Sequence, residues 1–198
     1  MSRNIVVDFA KNNPSDISEH LVYMYDTIIL NKSNFINGTI VEFGVREGNS
    51  TFALMAAATD ISGSLVSIDI NDCSNVKNKL DKHFPVKWSF NQINDLDFKL
   101  TLPVDVLFID TNHEYEHTLK ELMMVIPFIS KKGIIIMHDT NLDTIAYTDQ
   151  KSMVSNAINK VFELDKKTDW KHDFIIETKK AKIINHACNN GMAYIFFR

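Results

Sequence analysis

The sequence predicts an α/β protein: a doubly wound, mostly parallel seven-stranded sheet with an antiparallel hairpin strand at its C-terminal end. Three observations predict it. The runs at Thr39–Phe43, Leu65–Ile70, Val104–Ile109 and Ile134–Met137 are almost continuously apolar, as strands of a parallel sheet covered on both faces require. Stretches with helical apolar spacing alternate with them. Finally, Glu42, Asp69, Asp110 and Asp139 stand at or just beyond the ends of these runs. A doubly wound sheet gathers such strand ends along one crevice.

The bounds are those of a single domain over residues 1–198. It divides into an N-terminal arm and helix (1–34), a core (35–140) and a C-terminal part (141–198). Charged residues make up 23% and the formal net charge is −4, which gives no electrostatic case for nucleic acid as a partner. No apolar run approaches the length of a membrane span, and the N-terminus does not read as a secretory signal. Cys73 and Cys188 form no metal-ligand cluster and read as free thiols of a reducing compartment. The expectation is a cytoplasmic protein with no membrane partner.

Taken in order, residues 1–15 read as a loose arm. Asp16 or Ser18 caps a helix to about Leu30, with Leu21, Met24, Tyr25, Ile28 and Ile29 on one face. His20 and Tyr23 on that helix border the site only as guesses. Asn37-Gly38 turns into the strand of TIVEFGVREGNST, residues 39–51. There Gly44 and Gly48 break the strand, and a helix of about 50–59 follows. Glycine admits positive φ and close ligand approach, and the helix start offers unpaired N–H groups. The second strand ends in Asp69. A helix of about 74–82, a strand over 86–90 and a polar loop with Asn94 and Asp95 come next. The fourth strand ends in Asp110 and leads to a helix of about 114–129, closed by Lys131-Lys132-Gly133. The fifth ends at His138-Asp139-Thr140. Residues 141–150 read as a loop over the crevice, and a helix spans about 151–165. Strands over 173–177 and 193–197 close the sheet, with Asn189-Asn190-Gly191 as the turn between them.

The chemistry concentrates at the strand ends. Asp69 suits ribose hydroxyls, because an ionised carboxylate only accepts hydrogen bonds; the alternative is a helix cap, open also to Asn71 or Asp72. Asp110 and Asp139 stand on neighbouring strands, and two such carboxylates do not both ionise cheaply without a cation between them. Oxygen donors favour Mg2+, Ca2+ or Mn2+, and a contribution from His138 shifts the preference toward Mn2+, Fe2+ or Zn2+. Strand alternation lets His138 and Asp139 reach one site only if the strand has already ended. Glu42 is placed to reach into the crevice.

The spacing E-x-G-x-x-x-G-x-[ST] is neither a dinucleotide fingerprint nor a P-loop. It resembles motif I of the class I methyltransferases, whose glycine loop wraps the methionine part of S-adenosyl-L-methionine. With F-I-D-x-x-H-x-Y-E and an apolar strand ending H-D-T, residues 35–140 look like the macrocin and sugar O-methyltransferase group, and more distantly like catechol O-methyltransferases. The resemblance implies a Rossmann-like fold and S-adenosyl-L-methionine held by Glu42, Gly44, Gly48, Ser50, Thr51 and Asp69, with Asn94 or Asp95 on the adenine. It implies Mg2+ on Asp110 and Asp139, with His138 in place of the first member of the sugar group's acid pair. Thr140 stands where the catechol enzymes carry an Asn ligand, and His113 where they carry a lysine base. Asp110 and His113 are the catalytic candidates; His113, with an ordinary pKa near ~6.5, takes the acceptor's proton or merely caps the next helix. His117 reads as exposed.

The implied activity is methyl transfer to a hydroxyl of a small sugar, polyol or catechol-like acceptor. Metal-independent transfer and a catalytically silent Rossmann-like binding subunit are the competing readings. The chain has little cap of its own, which favours a homo-oligomer that completes the pocket.

Overall fold

The computed structural model describes residues 2–80, 82–101, 103–142 and 153–198. Eight strands form one sheet: β1 (Thr39–Phe43), β2 (Ser64–Asp69), β3 (Lys87–Gln92), β4 (Val104–Ile109), β5 (Ile129–His138), β6 (Phe174–Glu177), β7 (Ala181–His186) and β8 (Met192–Phe197). Their order is β3-β2-β1-β4-β5-β8-β7-β6. The first five pair in parallel, while β8 runs antiparallel to both β5 and β7. Helices α1 (Ser2–Asn12), α2 (Ser18–Asn31), α3 (Asn49–Asp60) and α4 (Ser74–Leu80) cover one face. Helices α5 (Tyr115–Val125) and α6 (Met153–Phe162) cover the other.

Every residue of β1 and of β4 is buried, which is why both read as apolar runs broken only by Thr39, Glu42 and Asp105. Alternation sorts them: Ile40, Val106 and Phe108 join the core under α1–α3, and Val41, Phe43, Leu107 and Ile109 join the core under α5 and α6. One acid anchors the sheet away from the site. Asp105 is fully buried and accepts from the backbone N–H of Ile36 (2.9 Å), Asn37 (3.0 Å) and Thr39 (3.1 Å) and from the Ser130 hydroxyl (2.6 Å). It thereby fixes where the chain turns into β1. Asp105→Ala is expected to cost about 3 kcal/mol, since donors lose their acceptor inside the protein; denaturant unfolding of the two proteins measures it.

The structure corrects four expectations. Residues 2–12 are a helix, not a loose arm: Val6 is fully buried, Phe9 stacks on Phe52 with ring centroids 3.8 Å apart, and Arg3 forks onto Asp26. α2 has no side-chain cap; Ser18 instead bonds Asn13 and Ser15. α5 stops at Val125, and Pro127 lies in a 3-10 turn over Ile126–Phe128. Lys131-Lys132-Gly133 therefore lies inside β5, at a register shift where Lys132 takes φ +66°. Lastly, β7 is an eighth strand between the two expected ones, so the Asn189–Gly191 turn joins β8 to β7, and β6 is the outer edge. Nearly all of the expected loop over 141–150 lies outside the described residues.

Candidate active site

The glycine turn leaves β1 at the middle of the sheet. Gly44 takes φ +89°, and a Cβ there would lie 1.9 Å from the Asp110 carbonyl oxygen. Only glycine fits this approach. Gly48, at φ +85°, precedes α3, and a Cβ on it would meet Val76 of α4 at 2.4 Å. The first glycine thus seats the loop against the end of β4, while the second admits α4.

Asp69 closes β2 and reaches back to this loop. Its Oδ2 accepts from the N–H groups of Val45 (2.8 Å) and Arg46 (3.1 Å). Its Oδ1 accepts from the backbone and side-chain N–H of Asn71, at 2.8 and 3.2 Å. Burial pushes its pKa up, but the N–H groups of Asn71, Arg46 and Val45 outweigh it and hold the carboxyl below its ordinary range. It does not cap α4; Asp72 accepts from Ser74 at that helix start, at 2.9 Å.

Glu42 shares the Ile40 face of β1 and lies wholly buried beneath α3. It accepts from Ser50 (2.7 Å), Thr51 (3.0 Å) and Ser67 (2.6 Å). Ser67 in turn accepts from the Trp88 indole at 2.9 Å. The hydroxyls of Ser50 and Thr51 are therefore directed inward at Glu42, and the carboxylate has no exposed face. These three residues bind α3 to β1 and β2.

A cleft of about 410 Å3 opens beside the loop, lined among others by Gly44, Asp69, Asn94, Asp95 and Asp110. Asn94 accepts from Leu96 N–H at 2.9 Å to start a 3-10 turn, and Asp95 Oδ2 lies 2.9 Å from His117 Nε2. His117 is therefore paired and largely buried rather than exposed. A smaller hollow, bordered by Ser15, Asp16 and Ile17, shares Gly44, Arg46 and Asp110 with this cleft.

Asp110 and Asp139 converge from adjacent strand ends. β5 stops at His138, and Asp139 takes φ +58°. That left-handed turn lets consecutive side chains, which would diverge along a strand, face one point. His113 Nε2 lies 2.7 Å from Asp139 Oδ2 and 3.5 Å from Asp110 Oδ1. His138 Nδ1 lies 3.3 and 3.6 Å from the same two oxygens. Neither ring nitrogen is aligned for a hydrogen bond at these distances. Donor atoms of Asp110, His113 and Asp139 lie within 4.8 Å of one another. Close, unaligned donors aimed at a shared point fit a divalent cation. Thr140 turns away, donating to Asn185 Oδ1 at 2.9 Å.

The family model for the methyltransferase domain matches residues 41–140, just over half of the chain. The chain belongs to that family. No curated protein matches it in sequence. Solved structures resemble it in fold. A Podospora anserina methyltransferase with S-adenosylhomocysteine bound is 12% identical, with TM-score 0.62, covering all of this chain and 88% of the other. The TDP-rhamnose 3′-O-methyltransferase of calicheamicin biosynthesis is 15% identical, with TM-score 0.58, over 98% and 92% of the two chains. The N-methyltransferase NodS of Bradyrhizobium japonicum WM9, with S-adenosyl-L-homocysteine, is 11% identical, with TM-score 0.56, over 89% and 85%. The mostly parallel sheet with an antiparallel end is thus the Rossmann-like fold of the class I methyltransferases. Among the described residues no helix is long and apolar enough to cross a membrane.

The electrostatics of this methyltransferase domain follow from its crowding. Burial opposes charge on His113 and His138, but Asp110 and Asp139 prevail and raise them to about 9 and about 10. Burial likewise pushes the two aspartates up, and the histidines outweigh it, holding both below their ordinary range. Glu42 goes the other way: burial lifts it to about 7 against three hydroxyl donors. Below pH 4.5 Glu42 is protonated folded or unfolded. Between 4.5 and about 7 the folded chain binds the extra proton, so this contribution to stability falls as pH rises. It amounts to something on the order of 3 kcal/mol. Glu42→Gln is expected to flatten the stability profile across that window, measured by urea unfolding at a series of pH values.

Proposed function

We propose that this domain transfers a methyl group from S-adenosyl-L-methionine to a hydroxyl oxygen of a small acceptor, a sugar, polyol or catechol-like molecule. A divalent cation, Mg2+ first, assists. The observation that carries the reading is the convergence of Asp110 and Asp139 beside the glycine loop and its cleft. S-adenosyl-L-methionine supplies an electrophilic methyl on a sulfonium. Asp110 and Asp139 would hold the divalent cation through oxygen donors, which favour Mg2+, and it would supply a Lewis acid to lower a hydroxyl's pKa and orient it; a nitrogen from His138 would shift the preference toward Mn2+, Fe2+ or Zn2+.

The chain's own groups do the rest. The loop from Gly44 to Gly48 lines the cleft at Gly44 and Arg46, and Asp69 holds that loop in place while facing the cleft. His113 is the one candidate base. It takes a proton near neutral pH only when Asp110 and Asp139 are engaged elsewhere, because those carboxylates otherwise keep it protonated. One observation favours metal-free transfer instead: His113 and His138 already balance the two aspartates.

Calorimetric titration with S-adenosyl-L-methionine, with and without Mg2+, followed by an acceptor screen with and without EDTA, tests both readings. Binding together with EDTA-sensitive methylation is expected. EDTA-resistant methylation selects the metal-free reading. No cofactor binding in either condition sinks the methyltransferase reading and leaves a silent Rossmann-like subunit.

A further inference from the structure

A second set of metal-type donors lies apart from Asp110 and Asp139. Asp95 sits in the 3-10 turn after β3, and His117 and Glu121 stand one helical turn apart on α5. The spacing of four puts the latter two on one face. Donor atoms of all three lie within 4.8 Å of one another. His117 Nε2 is 2.9 Å from Asp95 Oδ2 and 3.7 Å from Glu121 Oε1.

Glu121 supplies the deciding observation. Its side chain is fully buried; Oε1 accepts from Thr111 at 2.6 Å, and Oε2 has no hydrogen-bond partner. An orphaned carboxylate oxygen is costly inside a protein. A second carboxylate in the same pocket adds repulsion. One shared cation relieves both. One imidazole nitrogen with two carboxylates suits Zn2+ or a similar borderline ion better than Mg2+ or Ca2+. Asp95 and His117 also line the large cleft, so a fourth coordination position can open there.

We propose that Asp95, His117 and Glu121 bind one divalent cation of the Zn2+ class, at a site separate from the Asp110–Asp139 group. The proposal does not depend on the methyl-transfer reading. Its rival is a proton: burial raises the Glu121 pKa well above its ordinary range, and a neutral carboxylic acid could hold the cluster together by hydrogen bonds alone.

The test uses the 198-residue chain carrying Asp110→Asn and Asp139→Asn, so that the first group is disabled. Zn2+ alone is titrated calorimetrically, and bound zinc is measured after desalting. One Zn2+ per chain is expected. Adding Glu121→Gln, or separately His117→Asn, should weaken binding by more than about 100-fold, beyond the loss typical of an outer-shell change. Zn2+ should raise the melting temperature of the background protein but not of either added variant. Glutamine keeps the shape of glutamate, and His117 is not fully buried, so one of the two should fold if the other does not. Zinc binding unchanged by both substitutions, or no zinc on the background protein, would overturn the proposal in favour of the proton.

Discussion

Asp139→Asn is expected to lower methyl transfer about a thousandfold on any acceptor the wild type uses, the scale of the several kcal/mol a bound cation contributes. The reason lies at the end of β5. Asp139 faces His113 and His138 at once because its backbone turns left-handed there. Asparagine keeps the shape of the side chain but removes the charge that a cation needs. Calorimetry should therefore show Mg2+ binding lost while S-adenosyl-L-methionine binding persists. Activity within tenfold of wild type, at saturating cofactor, would return Asp139 to a structural role.

Asp69→Ala should remove cofactor binding most completely, weakening it by at least about 100-fold, the sum of two or more charged hydrogen bonds. On the proposed function Asp69 would have two duties in this geometry. It ties down the N–H groups of Val45 and Arg46, and it faces the cleft where a ribose would lie. All four of its acceptor positions are engaged within the chain. A ribose hydroxyl must therefore displace one partner, and the Asn71 side chain, at 3.2 Å, makes the longest of the four bonds. Asp69→Asn separates the duties: its amide oxygen can still receive the loop, so binding should recover in part. Equal affinity of alanine variant and wild type would remove Asp69 from the site.

Much of this was legible in the sequence because parallel strands buried on both faces have little choice of composition. The runs at 39–43, 104–109 and 134–137 were visible for that reason, and so was the approach of Asp110 to Asp139; Glu42, expected in the same crevice, is instead buried beneath α3. What stayed hidden depends on contacts distant in sequence. α1 shows only a short apolar run, and its burial comes from Phe52 and α2. β7 alternates buried and half-buried residues, with lysine and asparagine among them, so it lacks the apolar signature of the central strands. The inward turn of Ser50 and Thr51 onto Glu42 could not be read, since a hydroxyl after a glycine turn serves a ligand or a neighbouring strand equally well. Nor could the backbone at Asp139 be foreseen, where one left-handed residue decides whether His138 joins the cluster. His117 and Glu121 did carry a signal, their spacing of four on a helix, but its partner Asp95 comes from a separate turn.

Gly44 sets a clearance. The loop that leaves β1 and the carbonyl that ends β4 are held so close that neither can be re-spaced without the other, and a methyl group at position 44 would push both. The glycine loop and the end of β4 therefore share one rigid gauge. A substitution that respects that gauge has to act elsewhere, as at Ser15, Asp16 and Ile17, which face the loop across a hollow of about 50 Å3.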